Sequence, residues 1–375
     1  MKSVQIVLAA LILVVSIGAG RAAEPRESAA AVKTKTRNIL LVTTDGLRWQ
    51  EVFGGADPAL MNKANGGVEN IDLLTEEFGG ETPEIRRKAL LPFLWNVMAK
   101  NGQLYGNANA GSEAKVTNGR NFSYPGYNEI FTGWADPSID NNEKRQNGNV
   151  TVLEWLNGQE DFQRRIAAFG SWDRFPYILN SSRSRIRVVA GWRPLVGRGL
   201  STEERLLSRL VAEAPRIWDD CTYDTFTFHA ALEYFKRQRP RVLYIGLGET
   251  DEFGHAGRYD HYLHAAHHVD THLRILWETV QSLPDYRGTT TLILTTDHGR
   301  GDAPVEWKGH GAKVKGSERI WIGFLGPDTP PLGERTGVAP VTQSQIAATL
   351  AKFLGLDYCA SAPKAAPPIA EALRR

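Results

Sequence analysis

Asp297-His298-Gly299 closes an apolar, β-branched run, Thr291-Leu-Ile-Leu-Thr-Thr. Two further runs end in the same manner. Asn38-Ile-Leu-Leu-Val-Thr-Thr stops at Asp45-Gly46, and Arg241-Val-Leu-Tyr-Ile-Gly-Leu leads on to Asp251-Glu-Phe-Gly-His255. Asp251 and His255 are four apart, so both can reach one ion from a tight loop or from one helical turn. Asp297 and His298 are adjacent where the chain leaves the period-2 pattern, and Gly299 fits that break. His310 lies between Gly309 and Gly311, in a loop with little core to fill, which favours a ligand role. Zinc takes imidazole and carboxylate ligands. Two cations ~3.5–4 Å apart can clamp the attacking and leaving oxygens of an in-line displacement at phosphorus. A strand-end Asp before Gly is by itself mostly a turn residue or a helix cap; recurrence at three strand ends is what points to a metal site.

Such a site needs a nucleophile. Asn121-Phe-Ser123-Tyr-Pro125-Gly-Tyr-Asn-Glu-Ile-Phe-Thr132-Gly133 reads as a loop entering a short helix closed by Gly133. Pro125 suits the first turn, with Ser123 at or just before the cap. A plain N-cap serine gives the same pattern. A hydroxyl there also lies in a positive field that favours its alkoxide and the anion it attacks, and metal coordination would activate it further.

Continuous apolar runs bounded by turn residues are strands buried on both faces, as in a parallel sheet, and ligands bind beyond the carboxyl ends of such strands. Strand patterns fall at 38–44, 165–169, 186–190, 241–247, 289–296 and 319–325. Helical patterns fall at 91–100, 149–157, 202–213, 223–238, 258–282 and 342–354. This alternation predicts a three-layer α/β/α fold around a central, mostly parallel sheet. The expectation is a single catalytic domain over 38–357, with long loops at 50–90 and 134–150 and a loose C-terminal tail at 358–375. Lys2, the apolar run Val4–Ile17 and the small residues Gly18, Gly20, Ala22 and Ala23 form a secretory signal over 1–22, cleaved after Ala22. Residues 23–37 read as a flexible lead-in. The apolar run is short for a span of ~20 residues, so no stable membrane span is expected in the mature chain, which is placed in the periplasm or outside the cell. Charges nearly cancel, at +2 formal with no long basic run, so nucleic acid is not an indicated partner. An oxidising compartment permits the only two cysteines, Cys221 and Cys359, to pair; an unpaired, buried state is equally open.

With these residues in order, the chain resembles the alkaline phosphatase superfamily, specifically its nucleotide pyrophosphatase/phosphodiesterase-like branch. That branch carries a strand-end Asp, a Thr/Ser nucleophile followed by aromatic-Pro and later Thr-Gly, then Asp-x-x-x-His, Asp-His-Gly and a late His-Gly. Here those elements are Asp45, Ser123-Tyr-Pro through Thr132-Gly133, Asp251 with His255, Asp297-His298-Gly299 and His310-Gly311. The resemblance covers about 38–355. It implies two zinc ions, one on Asp251, His255 and His310, the other on Asp45, Asp297, His298 and the Ser123 oxygen. It also implies a small phosphate-ester substrate and a phosphoserine on Ser123, hydrolysed by water activated at the first zinc with net retention at phosphorus.

The match departs from the branch after Pro125, where Gly126-Tyr127 stands in place of the Asn-His usual in animal-type phosphodiesterases. Relatives place a phosphate-contacting asparagine some twenty residues past the nucleophile. Asn141, Asn142 and Asn147 fall in that window, and Asn142 is the preferred candidate. Monoesterase relatives add an Arg or Lys, for which Arg183, Arg185 and Arg187 lie in a suitable region. Sulfatases of this fold convert a Cys or Ser in a Cys/Ser-x-Pro-Ser-Arg context, and Ser123-Tyr-Pro-Gly-Tyr lacks the Ser-Arg pair. His261, His264, His267, His268 and His272 share a segment with Leu263, Val269, Leu273, Leu276 and Val280, so they read mainly as a polar helix face with an accessory metal role as the alternative. Trp134, Trp172 and Trp192 are candidates for stacking on an aromatic leaving group, with core packing as the plainer role. Competing readings are a phosphomonoesterase, a phosphonate or sulfate ester hydrolase on the same metal core, and a non-catalytic relative that binds metal or a phosphorylated ligand.

Overall fold

The computed structural model describes residues 33–197 and 199–374. The expected signal at 1–22 and most of the lead-in lie outside the described residues. Among the described residues ten strands form: β1 (Asn38–Thr44), β2 (Gln103–Tyr105), β3 (Ala114–Lys115), β4 (Ile166–Gly170), β5 (Arg187–Ala190), β6 (Val242–Leu247), β7 (Thr290–Thr296), β8 (Ile322–Leu325), β9 (Gly333–Glu334) and β10 (Val341–Thr342). Eight make one sheet in the order β5-β4-β6-β1-β7-β8-β2-β9, and β10 pairs with β3 beside it. From β5 to β7 every pairing is parallel; β8 runs antiparallel to β7 and to β2.

The continuous apolar strands are buried on both faces because helices cover both. Along β1, Leu40 and Val42 face one core with the helix Tyr259–Ser282, while Ile39 and Leu41 face the other with the helices Ser123–Thr132 and Ile346–Phe353. This is the period-2 alternation of a pleated strand applied to two cores. It makes the molecule a three-layer α/β/α fold.

Register aligns the ends that matter. β1 pairs Thr44 with Leu247 of β6 on one side and with Thr296 of β7 on the other. Asp45 N–H then donates to Leu247 O at 2.8 Å, so Asp45, the segment after β6 and Asp297 leave the sheet at one level.

Three expectations need correction. Residues 50–90 are not a long loop: helices occupy Trp49–Gly54, Lys63–Gly66, Ile71–Phe78 and Pro83–Leu90, and the side chains of Asn62, Asn70 and Thr82 cap the last three. The segment 358–375 is not loose over its described part. Ile369 and Ala372 are buried, Ala366 N–H donates to Gly133 O at 2.8 Å, and Arg335 holds Glu371 at 2.6 Å. The lead-in is pinned from Lys35, because Asp328 accepts from Lys35 N–H and from the N–H and hydroxyl of Thr36. Cys221 and Cys359 are both unpaired.

His272 is buried with its ring stacked on Phe228, centroids 4.1 Å apart, and its Nδ1 finds no partner. Burial first, then repulsion from His229 and His268, pushes it down to about 3. An unfolded histidine titrates near 6.5, so between those values the unfolded chain binds the extra proton and stability falls as pH falls. The loss should reach about 3 kcal/mol by pH 4. His272→Leu should remove that component, so the gap in melting temperature between pH 7 and pH 4 should narrow relative to the wild type. An unchanged gap would contradict the assignment.

Candidate active site

The three aligned strand ends build the site. Asp45 follows β1, and Gly46 beside it adopts φ +59°, where an added Cβ would stand 2.6 Å from Asp251 Oδ1. After β6 the chain turns at Gly248 into the helix Glu249–His255, which places Asp251 and His255 one turn apart on one face. Asp251 Oδ2 lies 3.1 Å from His255 Nε2. Asp297 and His298 follow β7 directly, both fully buried. His310 arrives from its glycine-flanked loop and sets Nε2 3.0 Å from His255 Nε2, with its ring stacked 3.9 Å from that of His298.

Two groups result, Asp251/His255/His310 and Asp45/Asp297/His298, and within each the candidate ligand atoms lie within 4.8 Å of one another. His298 Nε2 is 3.2 Å from Asp45 Oδ1 and 3.5 Å from Asp297 Oδ2. The remote ring nitrogens are engaged elsewhere: Nδ1 of His298 with Gly299 O at 2.9 Å and Nδ1 of His310 with Asn121 O at 3.1 Å. Those bonds fix the tautomers so that both Nε2 atoms offer lone pairs to the site.

Electrostatics make the cluster uncomfortable as a bare protein. Burial, then repulsion from Asp251, pushes Asp45 up to about 7, and burial with Asp45 and Asp251 beside it pushes Asp297 well above the carboxylate range. Burial holds His298 down to about 4 and, with His298 next to it, His310 down to about 3. Burial would raise Asp251 too, but Arg300, His310 and His255 overrule it and keep it well below the usual range. Asp45 Oδ1 and Asp297 Oδ2 are buried with no hydrogen-bond donor. Orphaned carboxylate oxygens facing neutral imidazoles are a donor set that divalent cations satisfy, so Asp45, Asp297 and His298 fit such an ion, and Asp251, His255 and His310 are a second group of the same ligand types.

Ser123 is the first residue of the helix Ser123–Thr132, and its Oγ lies 3.4 Å from His298 Nε2. Phe122 is the cap, so the serine stands one position further in than a capping role requires. Gly133 closes the helix at φ +80°. The departure at Gly126-Tyr127 has a physical reason here. A Cβ on Gly126 would stand 2.3 Å from Asp297 O, so only glycine lets this helix approach the end of β7. Tyr127 donates its hydroxyl to Asp45 Oδ2 at 3.0 Å, which leaves Oδ1 for the site. Gly126→Ala should therefore push Ser123 off its place. Overpacking should cost about 1–3 kcal/mol of stability, and a shift near 1 Å should cost about 100-fold in kcat/KM. Thermal unfolding and turnover of an aryl phosphate ester check both; wild-type values for both would refute the close-approach argument.

Around this centre a cavity of about 190 Å³ is lined by Asp45, Ser123, Asn142, Trp172, Arg174, Asp220, Glu252, His255 and His310, among others. Asn142 is thus at the site, its Oδ1 accepting from Tyr124 N–H at 2.9 Å. Asn147 is elsewhere, buried on Asn128 and Ile178 O, and Asn141 bonds its own loop. Of the three tryptophans only Trp172 lines the cavity; Trp192 is buried and donates to Trp218 O, while Trp134 lies under Lys364. Arg183 pairs with Glu154 at the surface and Arg187 lies over Tyr234, so neither serves the site. Among the described residues the histidine-rich helix joins no metal-ligating group. His264 pairs with Glu77, and His267 Nδ1 bonds Leu90 O.

Sequence reasoning missed three supporting residues. Arg300 is fully buried, contacts Asp251 Oδ1 through its guanidinium and donates Nε–H to Trp307 O at 2.8 Å. Glu129, on the serine helix, accepts from Thr117, Asn118 and Ser344 and so ties down the loop that enters Ser123. Arg174 is the guanidinium at the cavity, and its partners are Asp173, Asp220 and Asn142 O. Arg300 follows Asp-His-Gly directly, which is the one signal that could have found it.

A model of the type I phosphodiesterase / nucleotide pyrophosphatase family matches residues 76–313. The chain belongs to that family. It is accordingly a phosphoric ester hydrolase, and the matched stretch holds Ser123, Asp251, His255, Asp297, His298 and His310, starting downstream of Asp45. No curated protein matches the chain. Among solved structures, the lipoteichoic acid synthase LtaP from Listeria monocytogenes is 11% identical, with 86% of this chain and 72% of that chain covered at a TM-score of 0.55. An alkaline phosphatase superfamily protein from Vibrio parahaemolyticus is 13% identical over 92% of this chain and 72% of its own, at 0.53. The alkaline phosphatase PafA is 10% identical over 92% of this chain and all of its own, at 0.55. At these identities the likeness is one of fold, and it places this family member on the alkaline phosphatase-like architecture.

Proposed function

We propose that this family member is an exported, two-zinc phosphodiesterase that works through a phosphoserine on Ser123. The observation that carries the reading is the position of Ser123 Oγ beside the Asp45/Asp297/His298 group, with the Asp251/His255/His310 group adjoining it in one cavity. Nitrogen and carboxylate donors without thiolates suit zinc. When bound, the two cations would neutralise the three carboxylates, favour the serine alkoxide and stabilise the leaving oxygen.

The chain's own residues do the rest. Ser123 Oγ loses its proton to water and attacks phosphorus; the bond from phosphorus to the leaving oxygen breaks, and that oxygen takes a proton from water, giving an alcohol and a phosphorylated Ser123 that still carries the second ester group. Water then attacks the same phosphorus, the bond to Oγ breaks, and Ser123 is regenerated with release of the remaining phosphate ester. The helix behind Ser123 directs its N-terminal field at the incoming anion. Asn142 commits Oδ1 to Tyr124 and keeps Nδ2, which donates to no protein acceptor among the described residues, for a phosphoryl oxygen.

Diesters are favoured over monoesters because Arg174 has its charge matched by Asp173 and Asp220. Among the described residues that line the cavity, no unpaired Lys or Arg is then left for the second charge of a monoester. A bis-aryl phosphate should give a higher kcat/KM than the aryl monoester, and Asp220→Asn should narrow the ratio by freeing Arg174. A monoester preference in the wild type would move the assignment to a phosphomonoesterase. The purified protein should carry about two zinc per chain; none, with activity intact, would end the zinc reading. No helix among the described residues is long and apolar enough to cross a membrane. Export is checked by the mature N-terminus, expected at Ala23.

A further inference from the structure

The opposite edge of the sheet mirrors the catalytic one in charge. Three neighbouring strands, β4, β6 and β1, are each entered through an arginine: Arg165, Arg241 and Arg37. Adjacent strands lie about 4.8 Å apart, so these residues are drawn together by the backbone whatever their charge. Arg239 joins them from the end of the helix Asp224–Gln238, where it takes φ +51°. The four line a cavity of about 420 Å³ with Asn38, Asp161, Asp285 and Tyr286.

The cluster is not neutralised from within. Arg241 is held in place, its Nε donating to Arg37 O at 3.0 Å and its guanidinium 4.0 Å over the ring of Phe162. Its one carboxylate neighbour, Asp161, stays 3.9 Å away and is 84% exposed. Arg37, Arg165 and Arg239 form no ion pair and no side-chain hydrogen bond among the described residues. Burial, with Arg165 and Arg37 beside it, lowers Arg241 below the usual guanidinium range despite Asp161. Four guanidiniums against two carboxylates, with three forks unspent, call for a bound anion. A guanidinium matches phosphate oxygens in pairs and keeps its charge at every physiological pH.

We propose that this pocket is a binding site for a phosphate group, separate from the catalytic centre and at the far edge of the same sheet. The phosphate can be carried by a free anion or by an anionic lipid headgroup, and the chemistry on the protein side is the same.

The test compares the full zinc-loaded protein with Arg165→Gln/Arg239→Gln, after confirming equal melting temperatures. Inorganic phosphate is titrated calorimetrically, and its competitive inhibition of diester turnover reports the catalytic site alone. Sedimentation with phosphatidylglycerol vesicles, against phosphatidylcholine controls, reports lipid. The wild type should bind phosphate beyond the equivalent that inhibits, or bind the anionic vesicles. The double variant should lose that binding at least ~10-fold with kcat/KM and the inhibition constant unchanged. Extra phosphate without vesicle binding identifies a free anion, and vesicle binding without extra phosphate identifies a headgroup. Neither in the wild type, or equal binding by the variant, overturns the proposal. If the double variant melts lower, the single variants Arg165→Gln and Arg239→Gln replace it; each should weaken the binding several-fold, and unchanged binding in both overturns the proposal.

Discussion

Ser123→Ala should lower kcat for diester turnover by at least about 10³-fold, while zinc content and melting temperature stay close to wild type. The asymmetry follows from how little the hydroxyl does for the fold. Its one side-chain hydrogen bond among the described residues is with His298 Nε2 at 3.4 Å, and the N-cap position belongs to Phe122, so the hydroxyl caps nothing. Alanine is moreover a good helix former at that position. The loss should therefore fall on kcat, since the missing bond is made only as the reaction proceeds. Acid-quenched wild-type protein mixed with a bis-aryl phosphate should gain the mass of one aryl-phosphoryl group, the substrate less its departed alcohol, and the variant none. Ser123→Thr, which keeps the oxygen, should recover part of the rate. Equal turnover by Ser123→Ala would sink the nucleophile assignment, and equal phosphoryl labelling would place the intermediate on another side chain.

The catalytic edge was readable in the sequence because its parts are local. A two-face strand announces itself as a continuous apolar run, and Asp45, Asp251 and Asp297 stand where three such runs break off. The sheet's register then does the long-range work, pairing Thr44 with both Leu247 and Thr296. Residues whose role is set by distant partners carried no such mark. Arg300 matters through Asp251, Glu129 through Thr117 and Ser344, and Arg174 through Asp220; each is an ordinary polar residue in its own segment. The helices within 50–90 escaped for a different reason. They span eight residues or fewer, too short for an apolar period to show, although Thr82-Pro83 is a capping residue followed by a first-turn proline. The described C-terminal segment hid behind its Ala/Pro composition. Its docking depends on backbone bonds such as Ala366 to Gly133 and on Glu371 meeting Arg335.

Removing the metals should abolish turnover and also loosen the fold. The second effect follows from the buried charge. Without cations, Asp45 Oδ1 and Asp297 Oδ2 have no donor; burial, with Asp251 beside Asp45 and both Asp45 and Asp251 beside Asp297, pushes both carboxyls above the usual carboxylate range. An ion bound at a thousand times its dissociation constant adds about 4 kcal/mol to the folded state. For a chain of 375 residues each ~1 kcal/mol is worth a little over ~1 °C, so dipicolinate removal of both ions should lower the melting temperature by roughly 10 °C. The two groups should not contribute equally. Arg300 already compensates Asp251, whereas among the described residues no Lys or Arg forms an ion pair with Asp45 or Asp297. The Asp45/Asp297/His298 group should therefore hold its ion more tightly and account for most of the stabilisation, with the Asp251/His255/His310 ion leaving first under limiting chelator. His310→Ala should lose one zinc equivalent with a small fall in melting temperature, and Asp297→Asn should lose the other with a large one. Zinc added back to the chelated wild type should restore both activity and stability. If His310→Ala proves the more damaging to stability, Arg300 is not the compensating charge that its contact with Asp251 implies.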